Sequence, residues 1–172
     1  MSKIKHIVIE EASKPLRHLI VMALNYPGHH QITEVENHTE ALSVLRAYKP
    51  NLLIIEYESN GVSGLDHVRQ IRNGKAGCKR NIPIIVLTDP KKEEWMEAYM
   101  ASQVMEAGAN ACVSKPLSIR KLFPVAVHVM KQAHEERVAK LHIVAPFGFS
   151  RFMEEKVPRL MRFFAPPVKD LS

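Results

Sequence analysis

The sequence predicts an α/β fold in which a parallel sheet is covered by helices on both faces. Short apolar runs alternate along the chain with segments that have the period of amphipathic helices, a pattern typical of βαβ units. Several apolar runs end in a polar side chain, and the carboxyl ends of parallel strands are where open α/β sheets build their sites. The 172 residues and the 46% hydrophobic content suit one such domain with an extension.

The first half of the chain contains two strands and two helices. The predicted elements are a strand over residues 4–10, a helix over 14–25, a strand over 31–35 and a helix over 39–47. Ser13 is placed to cap the first helix, and Pro15 suits its first turn. Asn37 and Glu40 have the spacing of a capping box, which predicts the start of the second helix.

The second half continues the alternation. The predicted elements are a strand over residues 52–56, a helix over 65–73, a strand over 84–88, a long helix over 92–107, a strand over 111–114 and a helix after Pro116 that extends as far as residue 140. Asn73 and Gly74 end the third helix, Gly108 ends the fourth, and Ser118 caps the fifth.

Polar side chains stand at the ends of four of these strands. Glu10 and Glu11 end the first strand, and Glu56 ends the third, with a glycine eight residues later. Thr88 ends the fourth strand, and Lys115, followed by proline, ends the fifth. Because these ends meet at one edge of a parallel sheet, we expect the five side chains to form one pocket.

This set of residues, in this order and spacing, resembles the receiver domain of two-component response regulators, the CheY-like type. The resemblance covers about residues 3–131. It implies a flavodoxin-like, doubly wound five-stranded parallel sheet in the order 2-1-3-4-5. It divides the chain into a receiver-like domain over 1–131 and a C-terminal helical extension with a Phe/Arg-rich tail over 132–172. It also implies a cis peptide bond before Pro116.

The resemblance assigns each pocket residue a role. In the family the acidic pair holds Mg²⁺, an aspartate accepts the phosphoryl group, and the threonine and lysine contact that group. Here the acidic pair is Glu10 and Glu11, and Glu56 stands at the acceptor position. The extra methylene of glutamate moves its oxygens by roughly 1.5 Å. Misplacement near 1 Å can cost phosphoryl transfer on the order of 100-fold. The resemblance with these changes therefore predicts a degenerate phosphoacceptor pocket without catalytic residues.

Three interpretations of Glu56 remain open at this point. Its carboxylate can mimic a phosphoryl oxygen, within reach of Lys115 and Thr88, and hold the domain in one state. The polar groups of a decayed site can instead simply satisfy one another. A third interpretation keeps residual Mg²⁺ binding by Glu10, Glu11 and Glu56, since Mg²⁺ prefers carboxylate oxygens.

Three further features bear on function. Cys112 stands where the family has an aromatic switch residue, and it is either a redox-sensitive thiol or a small buried side chain. Trp95 and Tyr99 share a stripe of the long helix, which is either a partner face or packed on its own domain. His29 and His30 are expected to be solvated loop residues, because neighbouring residues do not converge on a metal ion.

The last part of the chain has its own composition. Five of the six phenylalanines, together with Arg151, Arg159 and Arg162, fall between residues 141 and 172. Such a segment can fold back on the domain, associate with a partner or a second copy, or contact a membrane surface or an acidic ligand.

We therefore predict a non-enzymatic pseudo-receiver that acts by protein–protein interaction. Its expected partners are a histidine kinase, an output protein or a second copy of the chain. We expect no cofactor, no nucleic acid, no membrane span and a cytoplasmic location, with Cys78 and Cys112 as free thiols. The alternatives are a phosphorylatable Mg²⁺-dependent receiver and, favoured by the net charge of +6, a sensor of an acidic ligand such as a cyclic dinucleotide.

Overall fold

The computed structural model describes residues 5–25, 30–59, 61–90 and 94–144. The strands are β1 (Lys5–Glu10), β2 (His30–Val35), β3 (Leu52–Glu56), β4 (Glu58–Ser59), β5 (Val62–Ser63), β6 (Ile84–Thr88) and β7 (Ala111–Ser114). The helices are α1 (Lys14–Leu24), α2 (His38–Tyr48), α3 (Gly64–Arg72), α4 (Glu94–Glu106) and α5 (Ile119–Val144). The predicted tail beyond residue 144 and His29 lie outside the described residues.

The main sheet has five strands in the order β2-β1-β3-β6-β7, and each neighbouring pair is parallel. Counted along the chain, this is the order 2-1-3-4-5 that the resemblance implied, so the predicted fold is confirmed. Strands β4 and β5 form a separate antiparallel pair between β3 and α3, which the sequence did not predict. His30 is the first residue of β2, so the prediction that it lies in a loop is wrong.

Apolar side chains alternate between the two faces of the sheet, as the period-2 geometry of a strand requires. On one face, Val8, Leu53 and Val86 pack with residues from α2, α3 and α4. On the other face, Ile9 and Ile54 pack with residues from α1 and α5. Every residue of β3 and β6 is buried, as expected for central strands of a sheet covered on both faces.

The chain divides into two compact units, Met1–Ala133 and His134–Ser172. The functional division of residues 132–172 into an extension and a tail stays a prediction. Helix α5 continues to Val144, a little beyond the predicted end. Among the residues that the structure describes, none of the helices combines the length and apolar content that crossing a bilayer requires.

Two of the three predicted helix caps form the expected hydrogen bonds. The backbone N–H of Glu40 donates to the side-chain oxygen of Asn37, and Asn37 donates to the Glu40 carboxylate. The backbone N–H of Lys121 donates to Ser118 Oγ at the start of α5. Ser13 occupies the N-cap position of α1, but its side chain makes no capping hydrogen bond. Its backbone N–H instead donates to Glu11 Oε1, which links the start of α1 to the pocket.

Candidate functional site

The parallel sheet brings the polar ends of β1, β3 and β7 together at its carboxyl edge. Glu10 is completely buried, and Glu11 and Glu56 are nearly so. Lys115 follows β7, and its backbone N–H donates to the carbonyl of Thr88. The peptide bond between Lys115 and Pro116 is cis, as the resemblance implied.

Lys115 lies between two of the three carboxylates. Its Nζ is 2.6 Å from Glu56 Oε1 and 3.1 Å from Glu11 Oε2. The predicted contact between Glu56 and Lys115 is therefore present. The other oxygen of Glu56 accepts from the backbone N–H of Ala12 at 3.3 Å, so both oxygens of the acceptor-position carboxylate already have donors.

This arrangement shifts the pKa values of all three groups. Burial raises the pKa of Glu56, but hydrogen bonds from Lys115 and Ala12 outweigh it, so the pKa is lowered overall. Burial raises the pKa of Glu11, and Ser13 and Lys115 offset that effect only in part. Burial lowers the pKa of Lys115, but its bonds to Glu56 and Glu11 are stronger, so the pKa is raised. Lys115 therefore stays charged throughout the neutral range.

The third carboxylate, Glu10, contacts a histidine instead of Lys115. Its Oε2 accepts from the backbone N–H of Glu56 at 3.1 Å and lies 3.1 Å from Nδ1 of His38. The His38 side chain is only 3% exposed, and its Nε2 lies 3.3 Å from the carbonyl oxygen of Val62. Burial lowers the pKa of His38, but Glu10 and Val62 outweigh it, so the pKa is raised. The pocket therefore contains a buried histidine beside its deepest carboxylate.

A second histidine packs against the first. The ring of His67 on α3 lies 4.5 Å from that of His38, centroid to centroid. Burial and the neighbouring His38 lower the pKa of His67 to about 4. One member of the pair is therefore neutral at pH 7, which avoids placing two positive rings in contact.

The connection after β3 holds Glu56 in place. The backbone N–H of Tyr57 donates to Leu87 at 2.8 Å, and the N–H of Gly64 donates to the carbonyl of Tyr57 at 2.8 Å. A Cβ at residue 64 would collide with the carbonyl oxygen of Glu56. Glycine is therefore required eight residues after the acceptor position, because the backbone approaches that closely.

A buried arginine supports the acidic pair from α1. Arg17 donates from Nη1 to the carbonyl of Glu11 at 2.6 Å, and it pairs with Glu34 at 3.2 Å and Glu36 at 2.9 Å. Sequence reasoning missed this residue. The available signal was its spacing: Arg17 precedes Ile20 by three positions and Leu24 by seven, so it lies in the buried stripe of the helix.

The comparisons with known proteins agree with this geometry. The family described as the response regulator receiver domain matches residues 7–126. The chain belongs to that family. The phosphate regulon transcriptional regulatory protein PhoB of Pseudomonas aeruginosa is 31% identical over 118 residues, which are 69% of this chain and 48% of that protein. PhoB of Escherichia coli K12 is 25% identical over 128 residues, which are 74% of this chain and 52% of that protein. The chain thus spans about half the length of these curated relatives.

Solved receiver structures show the same fold. A signal receiver domain from Vibrio parahaemolyticus superposes with a TM-score of 0.66 at 20% identity, covering 79% of this chain and 97% of that one. The chemotaxis response regulator CheY4 of Vibrio cholerae gives a TM-score of 0.61 at 14% identity, covering 73% of this chain and 98% of its own. At such identities the likeness establishes the receiver fold alone.

The receiver's threonine and switch positions contact each other. Thr88 is buried, and its Oγ1 lies 3.5 Å from Cys112 Sγ. Within the described part of the chain, no hydrogen bond joins Thr88 to Glu56. Of the two contacts that the mimic interpretation requires, Glu56 therefore makes the one to Lys115 and not the one to Thr88. Burial raises the pKa of the Cys112 thiol, which disfavours the reactive thiolate of a redox-sensitive cysteine.

Helix α4 carries the predicted partner residues on its exposed side. Trp95 is 62% exposed and Tyr99 is 53% exposed. Val104 is the buried large apolar residue of this helix, whereas Met96 and Met100 are half-buried. The stripe of Trp95 and Tyr99 is therefore exposed and is not packed on its own domain. Its role as a partner face stays a prediction.

The carboxylates make separate contacts within the protein rather than converging on one metal position. Glu11 and Glu56 share Lys115, and Glu10 faces His38. In the described ranges no group of three or more His, Cys, Asp or Glu side chains has an arrangement that could hold a metal ion. An octahedral Mg²⁺ needs oxygens directed at one point, so the arrangement observed here does not fit the ion that the family binds.

Proposed function

We propose that this receiver domain is a pseudo-receiver, a signalling module that acts through protein contacts and does not accept phosphate efficiently at Glu56. The observation that carries the proposal is the position of Lys115 Nζ between Glu56 Oε1 and Glu11 Oε2. The lysine that contacts the phosphoryl group in the family is engaged here by the carboxylate at the acceptor position itself.

This contact opposes phosphoryl transfer in two ways. A carboxylate nucleophile needs a free oxygen aligned with the phosphorus atom, and both oxygens of Glu56 accept hydrogen bonds. The lowered pKa of Glu56 also marks a less basic and therefore weaker nucleophile. A phosphoryl group would have to displace Lys115 from two carboxylates before the lysine could stabilise it.

The same contact supports the interpretation of Glu56 as a built-in mimic. A glutamate that reaches Lys115 makes the type of charge-assisted bond that a phosphoryl oxygen would make. The domain is then held in one arrangement without modification, and its output depends on protein abundance or on partner binding. We place its partners among signalling proteins, a histidine kinase or an output protein, with the exposed side of α4 as the contact surface.

The acidic-ligand alternative has less support. Arg72 donates to the carbonyls of Gly108 and Ile82, and Arg46 donates to the carbonyl of Ala76. These arginines near the basic loop after α3 hold backbone segments together, which commits their donors to the fold. We therefore rank the protein-contact function above a cyclic dinucleotide sensor.

The test is the intact mass of the protein after incubation with Mg²⁺ and acetyl phosphate. We expect no phosphoryl gain for the wild type, whereas a receiver of known activity, treated alongside, gains one group. Glu56→Asp should not restore full acceptance, because Glu10 and Glu11 still displace the metal position. A stable gain in the wild type that disappears in Glu56→Ala would overturn the proposal.

A further inference from the structure

The buried Arg17 of α1 is held by three acceptors at once. Its Nη1 donates to the carbonyl oxygen of Glu11 at 2.6 Å. Its Nε donates to Glu34 at 3.2 Å, and its Nη2 donates to Glu36 at 2.9 Å. Only 7% of the Arg17 side chain is exposed, whereas Glu34 and Glu36 are open to solvent. Because a guanidinium is planar and its donors have a fixed geometry, three contacts made by three nitrogens define its orientation.

The carbonyl that Arg17 contacts belongs to the peptide group between Glu11 and Ala12. This peptide group is trans, so its C=O and N–H bonds point in opposite directions within one plane. The N–H of the group, on Ala12, donates to Glu56 Oε2 at 3.3 Å. One rigid plane therefore has Arg17 on one side and the carboxylate at the acceptor position on the other.

Neighbouring hydrogen bonds restrict the rotation of this plane. The backbone N–H of Glu11 donates to the carbonyl of Val35 at 3.3 Å, which extends the pairing of β1 with β2. The N–H of Ser13 donates to Glu11 Oε1 at 3.0 Å. The N–H of Arg17 donates to the carbonyl of Ser13 at 2.8 Å, in the first turn of α1. The start of α1 thus brings Arg17 back to the end of the strand that precedes it.

The contact with Arg17 also strengthens the donor on the other side of the plane. A cation at a carbonyl oxygen draws electron density from the peptide group, and its N–H becomes a stronger donor because linked hydrogen bonds polarise one another. A donor to a carboxylate stabilises the charged form. Burial raises the pKa of Glu56, and the hydrogen bonds from Lys115 and Ala12 lower it. The positive charge of Arg17 therefore acts on Glu56 through the Ala12 N–H.

A second arginine shows what a purely structural role looks like. Arg72 donates from Nε to the carbonyl of Gly108 at 2.6 Å. The N–H of that peptide group, on Ala109, donates to the carbonyl of Val104 in α4. This chain of hydrogen bonds stays within the scaffold, whereas the chain that starts at Arg17 ends on the acceptor-position carboxylate.

We propose that Arg17 is a positioning residue of the pocket, which orients and polarises the peptide group between Glu11 and Ala12. The Ala12 N–H is thereby kept on Glu56 Oε2, and the other oxygen of Glu56 is left to Lys115. The inference rests on the proposed function, because it explains how both oxygens of Glu56 stay occupied and unavailable for attack on a phosphoryl group.

The test follows the far side of the plane by NMR of the full-length protein. In Arg17→Met the Ala12 amide proton should shift upfield, because its hydrogen bond to the carboxylate is weaker. The side-chain carboxyl carbon of Glu56 should titrate at a higher pH than in the wild type, because a weaker donor stabilises the carboxylate less. A fall in the free energy of unfolding with both signals unchanged would overturn the proposal, since Arg17 would then contribute packing alone.

Two further variants separate charge from packing. Arg17→Lys retains a positive donor and should move both signals part of the way back toward their wild-type values. Signals identical to those of Arg17→Met would contradict the role of the charge. Arg69→Met is the matched control, because Arg69 pairs with Asp66 on the exposed side of α3. Shifts of equal size in Arg69→Met would show that the signals report a general loosening, which would contradict the assignment.

The exposed carboxylates decide the question if Arg17→Met does not fold. Glu34→Gln combined with Glu36→Gln removes both charges that orient Arg17 and replaces only side chains that are open to solvent. We expect shifts of both signals in the same direction, and smaller ones, because the contact with the Glu11 carbonyl is retained. Unchanged signals in this double variant would then overturn the proposal.

The two proposals can fail separately. A phosphoryl gain in the intact-mass measurement would refute the pseudo-receiver function, while shifted Ala12 and Glu56 signals in Arg17→Met would still support the positioning role. Unchanged signals would refute the positioning role and leave the pseudo-receiver function, which is carried by the contact of Lys115 with Glu56.

Discussion

The acidic pocket and helix α4 differ in the contacts that their side chains make. In the pocket, Glu11, Glu56 and Lys115 are held by one another within about 3 Å, and Arg17 and His38 complete the network from α1 and α2. On α4, Trp95, Tyr99 and Met105 are each more than half exposed. The polar groups of the pocket form a fixed internal network, whereas the apolar groups of α4 are left available for binding.

This difference separates stability from recognition. Buried charge networks are costly to break, because a remaining partner is left without a counter-charge. Exposed aromatic residues contribute little to folding but dominate binding when a partner covers them. Substitutions in the pocket should therefore change the free energy of unfolding, and substitutions on α4 should change binding.

The largest effect is expected for Lys115→Met. This change leaves Glu11 and Glu56 buried and close together without their shared cation, and we expect a loss of about 3 kcal/mol in the free energy of unfolding at pH 8. Chemical denaturation measures the loss. Without Lys115, desolvation and mutual repulsion raise the pKa values of both carboxylates, so protonation relieves the variant as the pH falls.

The contribution of Glu56 to the stability of the wild type has the opposite pH dependence. The pKa of Glu56 is lowered on folding, so its stabilisation is present above the unfolded pKa and is lost as the pH falls through the folded value. The difference between wild type and Lys115→Met should therefore shrink from pH 8 to pH 5. A loss of equal size at both pH values would show that Lys115 does not hold the carboxylates in solution.

A smaller effect with a distinct pH profile is expected for His38→Asn. The pKa of His38 is raised on folding, so its contribution is fully present below the unfolded pKa of 6.5 and is lost as the pH rises through the folded value. Asparagine keeps a donor beside Glu10 but removes the charge. We expect destabilisation of about 1 kcal/mol at pH 6 and less at pH 8.5, measured by chemical denaturation.

His67→Asn is the matched control for that experiment. The pKa of His67 is lowered to about 4, so the wild-type residue costs stability as the pH falls from 6.5 toward 4. Its replacement should stabilise the protein in that range, the reverse of the result for His38→Asn. If both variants lose stability in parallel at every pH, the effects come from packing and not from the charge on His38.

The same contrast explains what the sequence could predict. Glu10, Glu56 and Lys115 stand at strand ends, and a parallel sheet necessarily brings such ends together. His38 and Arg17 lie on helices, where their arrival at the pocket depends on the rotation of each helix against the sheet. The sequence predicts that rotation only from the apolar stripe of each helix, which must face the sheet. A polar residue within the stripe is readily overlooked.

The fold was predicted almost completely, and its departures are local. The β4–β5 pair has two residues in each strand, which is too short for a periodic pattern. Ser13 has the side chain of a helix cap, but its backbone N–H is used by Glu11 and its hydroxyl makes no cap. Both departures lie next to the pocket, where tertiary contacts override local preference.

The smallest effect on stability, and the sharpest test of the contrast, is expected for Trp95→Ala combined with Tyr99→Ala. Both side chains are more than half exposed, so the free energy of unfolding should change by less than about 1 kcal/mol in total. If their stripe is the contact surface for a second copy, the dimer dissociation constant should increase at least about tenfold, measured by analytical ultracentrifugation. Tyr48→Ala is the matched control, because Tyr48 is 64% exposed on a different helix. A wild type that stays monomeric at every concentration would exclude self-association. A dimer that Tyr48→Ala weakens as much as the α4 double variant would show that the second copy does not bind specifically to the exposed aromatic surface of α4.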